Sequence, residues 1–248
     1  MRECRGRGRR NLVSTGDTRR MTDEGTELFV QTVDGIADAQ FAEPSALPGW
    51  TRAHLIAHVA DNADALGNLV HWAATGVETP MYASAAQREA DIERGAGQPP
   101  SELRARVKLS ADRLAQAFDA LTPEAWAREV RTSKGLPVPA SATVWMRARE
   151  VLIHSVDLAV GVGFTDLPRD FLVQLVGDIT RQRSRGDGPA LDLVADDGAG
   201  RWQVSGANGS GDQATRVTGS LPAIAAYLAG RPGPALTSEA PPQLPPWL

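Results

Sequence analysis

Glu150 and His154 stand four residues apart in a stretch that reads as helical, so their side chains project from one face about one turn apart and could grip a single ion. Two ligands make half a site. A third from a facing helix would complete a three-ligand centre that keeps a coordination position open for water or substrate, the arrangement of catalytic rather than structural metal sites. The chain has only four His, at positions 54, 58, 71 and 154. His58, on an earlier predicted helix, is the natural third ligand. Other readings stay open at this level: His54 lies four before His58 and could pair with it, and His71 beside Trp72 falls toward a helix end, where a cation is favoured. A Glu–His spacing of four also arises by accident.

Cysteine usage narrows the chemistry. Cys4 is the single Cys, so disulfides, Cys-based zinc sites and a catalytic Cys in the body of the chain are excluded, and any thiol chemistry must borrow its sulfur. A cytoplasmic location follows as the expectation. Residues 1–20 hold seven Arg against Glu3 and Asp17, a balance of +5, which leaves −9 on the rest of a chain whose formal charge is −4. That acidic body would repel phosphate, so a nucleic-acid role for the basic segment is not expected. No secretory core precedes Met21, and Thr22, Asp23 and Glu24 after it form a helix-starting cluster. Residues 1–20 are therefore read as a disordered or non-native extension and Met21 as the start. The longest apolar runs fall far short of the roughly 20 residues of a membrane span.

The elements that must position these residues can be read from periodicity. Phe29, Val33, Ile36, Ala37 and Phe41 mark one face of a helix over 22–41. Thr51 is a suitable N-cap for a second helix with Leu55, Val59, Leu66, Leu69 and Val70 on its stripe, ending near Gly76. A short polar helix is expected over 85–94, a third long helix capped by Ser101 with Leu103, Val107, Leu114, Phe118 and Leu121 buried, another helix start at Thr122-Pro123-Glu124, and a fourth long helix over 141–160. After Pro168 the pattern changes to one helix up to Gln182, short strands at 191–195, 202–205 and 216–218, and a closing helix over 220–229 stopped by Gly230. The Pro-rich end from 232 cannot be regular. The fold class is α+β: a four-helix metal-binding bundle over 21–165, then a smaller α/β domain over 166–248.

Three segments resemble a known family. Leu47-Pro48-Gly49-Trp50-Thr51-Arg52 with Ala57-His58-Val59-Ala60 and Asn62-Ala63-Asp64, the stretch from Trp72 to Tyr82 with Arg88-Glu89-Ala90-Asp91-Ile92-Glu93, and Arg149-Glu150-Val151-Leu152-Ile153-His154-Ser155-Val156-Asp157-Leu158 are similar to the mycothiol-dependent maleylpyruvate isomerases, whose bundle is DinB-like. The resemblance runs from 22 to about 248, more loosely at the end, where Gly219-Ser220 and Ala229-Gly230-Arg231 fit a sterol-carrier-like domain. It implies zinc on His58, Glu150 and His154, mycothiol as the borrowed thiol, and conversion of maleylpyruvate to fumarylpyruvate in gentisate breakdown.

The substrate would be a dianion, which guanidinium groups bind through paired hydrogen bonds. Arg88, which in the resemblance matches a substrate-binding arginine, and Arg231 are the candidates; the plainer alternatives are a solvated Arg on a polar helix and a charge at a helix C-terminus. Asp157 could orient His154 and Asp61 could orient His58. The Gly-rich run 205–211 lacks a Lys-Ser/Thr ending and is read as a strand connection without chemistry. Partners are expected to be small molecules, with no nucleic acid or membrane, on a monomer or weak homo-oligomer. Rival functions are another mycothiol-dependent S-transferase and a metal-binding module without catalysis.

Overall fold

The computed structural model describes residues 15–206 and 214–247. Four long helices form the bundle: α1 (Thr15–Gly35), α2 (Arg52–Thr75), α4 (Pro100–Asp119) and α6 (Ala142–Asp157), with the shorter α3 (Ala85–Ala96) lying on α2 and α5 (Pro123–Ala127) following α4. α1 packs chiefly on α6, α2 on α4 and also on α6, while the α1–α4 seam is thinly packed. Small residues set two of these spacings. A Cβ on Gly25 of α1 would come within 2.7 Å of Leu152 Cγ on α6, and one on Gly95 of α3 within 2.7 Å of Ala57 Cβ on α2.

Local signals end most helices where the sequence places them. The Thr51 side chain accepts the His54 amide at the start of α2, and Gly76 closes that helix with φ 77°. Ser84 and Thr122 cap α3 and α5, and Ser220 caps α8 (Leu221–Ala229), which Gly230 ends at φ 65°.

Several boundaries differ from the sequence reading. α1 starts at Thr15, so residues 15–20 are helix and not irregular extension; Thr18 and Thr22 are buried, while Arg19 and Arg20 bridge to Asp23 and Glu24 one turn on and to Asp119 and Asp170 elsewhere. Residues 1–14, with Cys4, lie outside the described residues. The same helix stops at Gly35, and Phe41 is carried by a separate 3-10 turn, Asp38–Ala42. α4 starts at Pro100, ahead of Ser101, because a missing N–H costs nothing in a first helical turn. α6 ends three residues short of 160, where Ala159 turns to φ 54° and Gly161 to φ 105°. A hairpin of β1 (Glu129–Arg131) and β2 (Pro137–Pro139) was not expected.

Beyond the bundle, α7 (Arg169–Arg183) and α8 pack together beside a three-stranded sheet of β3 (Leu191–Ala195), β4 (Arg201–Val204) and β5 (Thr215–Gly219). β3 is central, antiparallel to β4 and parallel to β5. One hydrophobic cluster runs across residue 165, joining Phe29, Ile56 and Leu152 of the bundle to Leu193, Val217 and Ile224. This shared core ties Arg231, just beyond α8, to the end of α6.

Candidate metal centre

The register of α2 and α6 brings His58, Glu150 and His154 together. Their ligand atoms all lie within 4.8 Å of one another. Glu150 Oε2 is 3.1 Å from His58 Nε2 and 3.3 Å from His154 Nε2, and the two imidazole rings meet nearly edge-on, with centroids 5.2 Å apart. Bonds of about 2.0–2.1 Å in tetrahedral geometry separate neighbouring ligand atoms by roughly 3.3 Å. Two imidazole nitrogens and a carboxylate at these separations fit one ion with room for a fourth ligand. The other two histidines stand apart. His54 Nδ1 lies 2.6 Å from Thr51 Oγ1 and its Nε2 3.3 Å from Glu93, so it is used in the start of α2; His71 is exposed.

The surroundings orient each ring. His154 Nδ1 donates to Asp157 Oδ2 at 2.9 Å, the supporting carboxylate anticipated for it. Asp157 is fully buried and also receives Nε and Nη2 of Arg231 at 3.1 and 3.2 Å. Arg231 therefore reaches the site from beyond α8 as foreseen, but its paired donors are spent on Asp157 and its Nη1 on the Ala229 carbonyl. It acts on His154 through Asp157. Asp61, read as a possible support for His58, does not contact it: its side chain is 10% exposed and pairs with Arg106 of α4.

Arg88 Nη2 lies 3.3 Å from His58 Nδ1. An arginine can only donate, so His58 Nδ1 accepts and its proton sits on Nε2, aimed at Glu150. The Trp50 ring lies 5.3 Å from the His58 ring, centroid to centroid, and the Arg88 guanidinium lies 5.7 Å from the Tyr82 ring centroid. No carboxylate pairs with Arg88 among the described residues.

Charge follows from these contacts. Burial disfavours the imidazolium of His154, but hydrogen bonds and charges from Asp157 and Glu150 override it and raise its pKa to about 9. Burial lowers His58, with Glu150 pulling the other way. Glu150 itself is pushed up by burial but held well below the usual carboxylate range by its hydrogen bonds to His154 and His58. The metal-free centre thus holds a carboxylate, an imidazolium and a neutral imidazole.

Arg147 was missed by the sequence reading. It is 1% exposed on the same face of α6, one turn before Glu150, and its Nη1 donates to Val59 O at 2.8 Å and Asn62 Oδ1 at 3.1 Å. It thereby fastens the α2 backbone next to His58. Its spacing of three and seven from the two α6 ligands was the available signal. Within the Gly-rich run, Ser205 and Gly206 are irregular and residues 207–211 lie outside the described residues.

Comparison with known proteins gives the same grouping. The family model of the mycothiol maleylpyruvate isomerase N-terminal domain matches residues 22–159. A crystal structure of the mycothiol-dependent maleylpyruvate isomerase is 40% identical, with a TM-score of 0.87 over 95% of this chain and 98% of that one. A His-to-Ala variant of that isomerase is 39% identical, with the same TM-score and coverage. Among curated proteins none matches. With residues 22–159 matching the family model, and 95% of its length the solved isomerase, the chain belongs to the mycothiol-dependent maleylpyruvate isomerase family.

Proposed function

We propose that this chain is a zinc enzyme that uses mycothiol to convert maleylpyruvate to fumarylpyruvate. The observation that carries the reading is the His58, Glu150 and His154 cluster, an N,N,O donor set spaced for one ion, beside an arginine with no carboxylate partner among the described residues. Two nitrogens and one carboxylate suit zinc with an exchangeable fourth ligand.

When bound, zinc and the thiol would together supply a thiolate whose addition to the cis double bond leaves a single bond free to rotate, and whose departure restores the double bond as trans. The described residues contain no Cys, so the sulfur comes from outside them. The side chains do the rest. To hold the ion, His154 would give up its Nε2 proton and keep Nδ1–H on Asp157. His58 would carry its proton on Nδ1, which would remove the acceptor that Arg88 uses in the metal-free centre and leave the guanidinium available to a substrate carboxylate. Arg231 holds Asp157 as an anion, and its role as a second substrate contact requires turning away from Asp157.

No helix among the described residues is long and apolar enough to cross a membrane. We place the enzyme in the cytoplasm, as a monomer or weak homo-oligomer acting on small molecules in gentisate breakdown. The test follows the thiol: recovery of free mycothiol with fumarylpyruvate after turnover supports isomerisation, accumulation of a thioether adduct points to an S-transferase, and zinc binding without thiol-dependent turnover of maleylpyruvate points to a binding module.

A further inference from the structure

The thin α1–α4 seam opens into a cavity of about 410 Å³, within the roughly 300–1,000 Å³ usual for small-molecule sites. Arg147 lines it from α6. This side chain is 1% exposed, and both its hydrogen bonds, to Val59 O and Asn62 Oδ1, are made by Nη1. Nε and Nη2 have no acceptor among the described residues, and no carboxylate stands within ion-pair distance. The contrast is Arg52, the other buried arginine among the described residues, whose guanidinium is paired with Glu43. Burial prevails at Arg147 and lowers its pKa to about 10, although Glu150 and Asp64 favour its charge from beyond ion-pair distance. A buried cation with no directly paired anion is costly, and the Nε–Nη2 edge of a guanidinium matches a carboxylate bidentately.

The rest of the lining narrows the ligand. Leu114 and Phe118 of α4 give an apolar wall, and Thr26 of α1 adds a hydroxyl. Exposed Asp23, Glu27 and Asp112 line the opening against one exposed cation, Lys108, which is itself paired with Asp34, so the rim carries more negative than positive charge and would repel a second negative charge. The cavity belongs to the α1–α4 side, whereas the metal ligands face Arg88 and Arg231.

We propose that this cavity binds a small organic carboxylate of one negative charge, its carboxylate on the free edge of Arg147 and its apolar body against Leu114 and Phe118. The cavity opens between α1 and α4 and contains none of the three metal ligands, although Arg147 at its inner end stands one turn from Glu150; the proposal does not depend on which reaction the metal centre carries out.

The test is calorimetric titration of the full chain with benzoate and hexanoate, with benzamide as the uncharged analogue. Ala115→Leu narrows the cavity from α4 without touching Arg147 or the metal ligands; Arg88→Ala removes the competing carboxylate-binding arginine. At least one of the two carboxylates is expected to bind the parent chain and Arg88→Ala equally, with affinity about tenfold or more weaker for Ala115→Leu, and benzamide about tenfold or more weaker than benzoate. If Ala115→Leu does not fold, Thr26→Met narrows the same cavity from α1 and the same comparison decides. Binding of neither carboxylate, equal binding of benzoate and benzamide, or binding lost in Arg88→Ala but kept in the cavity variant would overturn the proposal.

Discussion

Metal binding at this centre must expel a proton, and Asp157 sets how costly that is. His154, raised to about 9, is protonated at neutral pH and has to lose its Nε2 proton to coordinate an ion. Across the two pH units from 7 to 9 that requirement corresponds to a factor of about 100, or about 2.7 kcal/mol at 1.36 kcal/mol per unit. The apparent zinc affinity of the parent protein should therefore climb about tenfold per pH unit up to about pH 9 and then flatten. Asp157→Asn keeps the shape but removes the charge that supports Nδ1–H, 2.9 Å away. Loss of such a supporting partner costs about 10–100-fold in metal affinity. The variant's His154 also titrates nearer its ordinary value, which relieves proton competition at pH 7. The two effects oppose each other, so Asp157→Asn should bind zinc about 10–100-fold more weakly at pH 9.5, with the gap narrowing toward pH 7. Competition with a chelator of known pH dependence measures both curves. A gap of constant size from pH 7 to 9.5, or unchanged affinity at pH 9.5, would refute the reasoning.

Further expectations follow from the same contacts. His58→Ala and His154→Ala should each lose bound zinc, while Arg88→Ala keeps it and loses roughly 1.5–3 kcal/mol of substrate binding, seen as a raised KM of about 12–150-fold; metal analysis beside steady-state kinetics separates the two classes. In the metal-free protein the raised pKa of His154 stabilises the fold fully below about 6.5, and that contribution is lost as pH rises through about 9, so metal-free melting temperatures should fall over that window while the zinc-loaded protein changes less. Gly25→Ala places a Cβ 2.7 Å from Leu152 Cγ and should cost about 1–3 kcal/mol by forcing α1 from α6, read as a lower denaturation midpoint with zinc still bound.

What the sequence made legible was local or repeated. Thr51, Ser220, Gly76 and Gly230 mark helix ends through their own backbone chemistry, and Glu150 with His154 declares a shared face by spacing alone. His58 was the natural third ligand by its place on an earlier helix, and the family resemblance was what set it above His54, because nothing in spacing selects it as the residue facing α6. Arrangements made by distant chain segments were hidden. Asp61 and His58 are three apart on α2, yet Asp61 turns to Arg106 of α4; Arg231 reaches the site but is taken up by Asp157; Arg147 looks like any helical arginine until α2 closes over it. The β1–β2 hairpin was masked by Pro137 and Pro139, which argue against a central strand but are tolerated in a two-stranded edge ribbon.

The most direct test is loss of maleylpyruvate, followed spectrophotometrically with fumarylpyruvate scored as product, on protein stripped of metal and then restored with one equivalent of zinc, each with and without mycothiol. The account predicts turnover only when zinc and mycothiol are both present. Equal turnover by the stripped protein, or turnover by the zinc-loaded protein without the thiol, would contradict it.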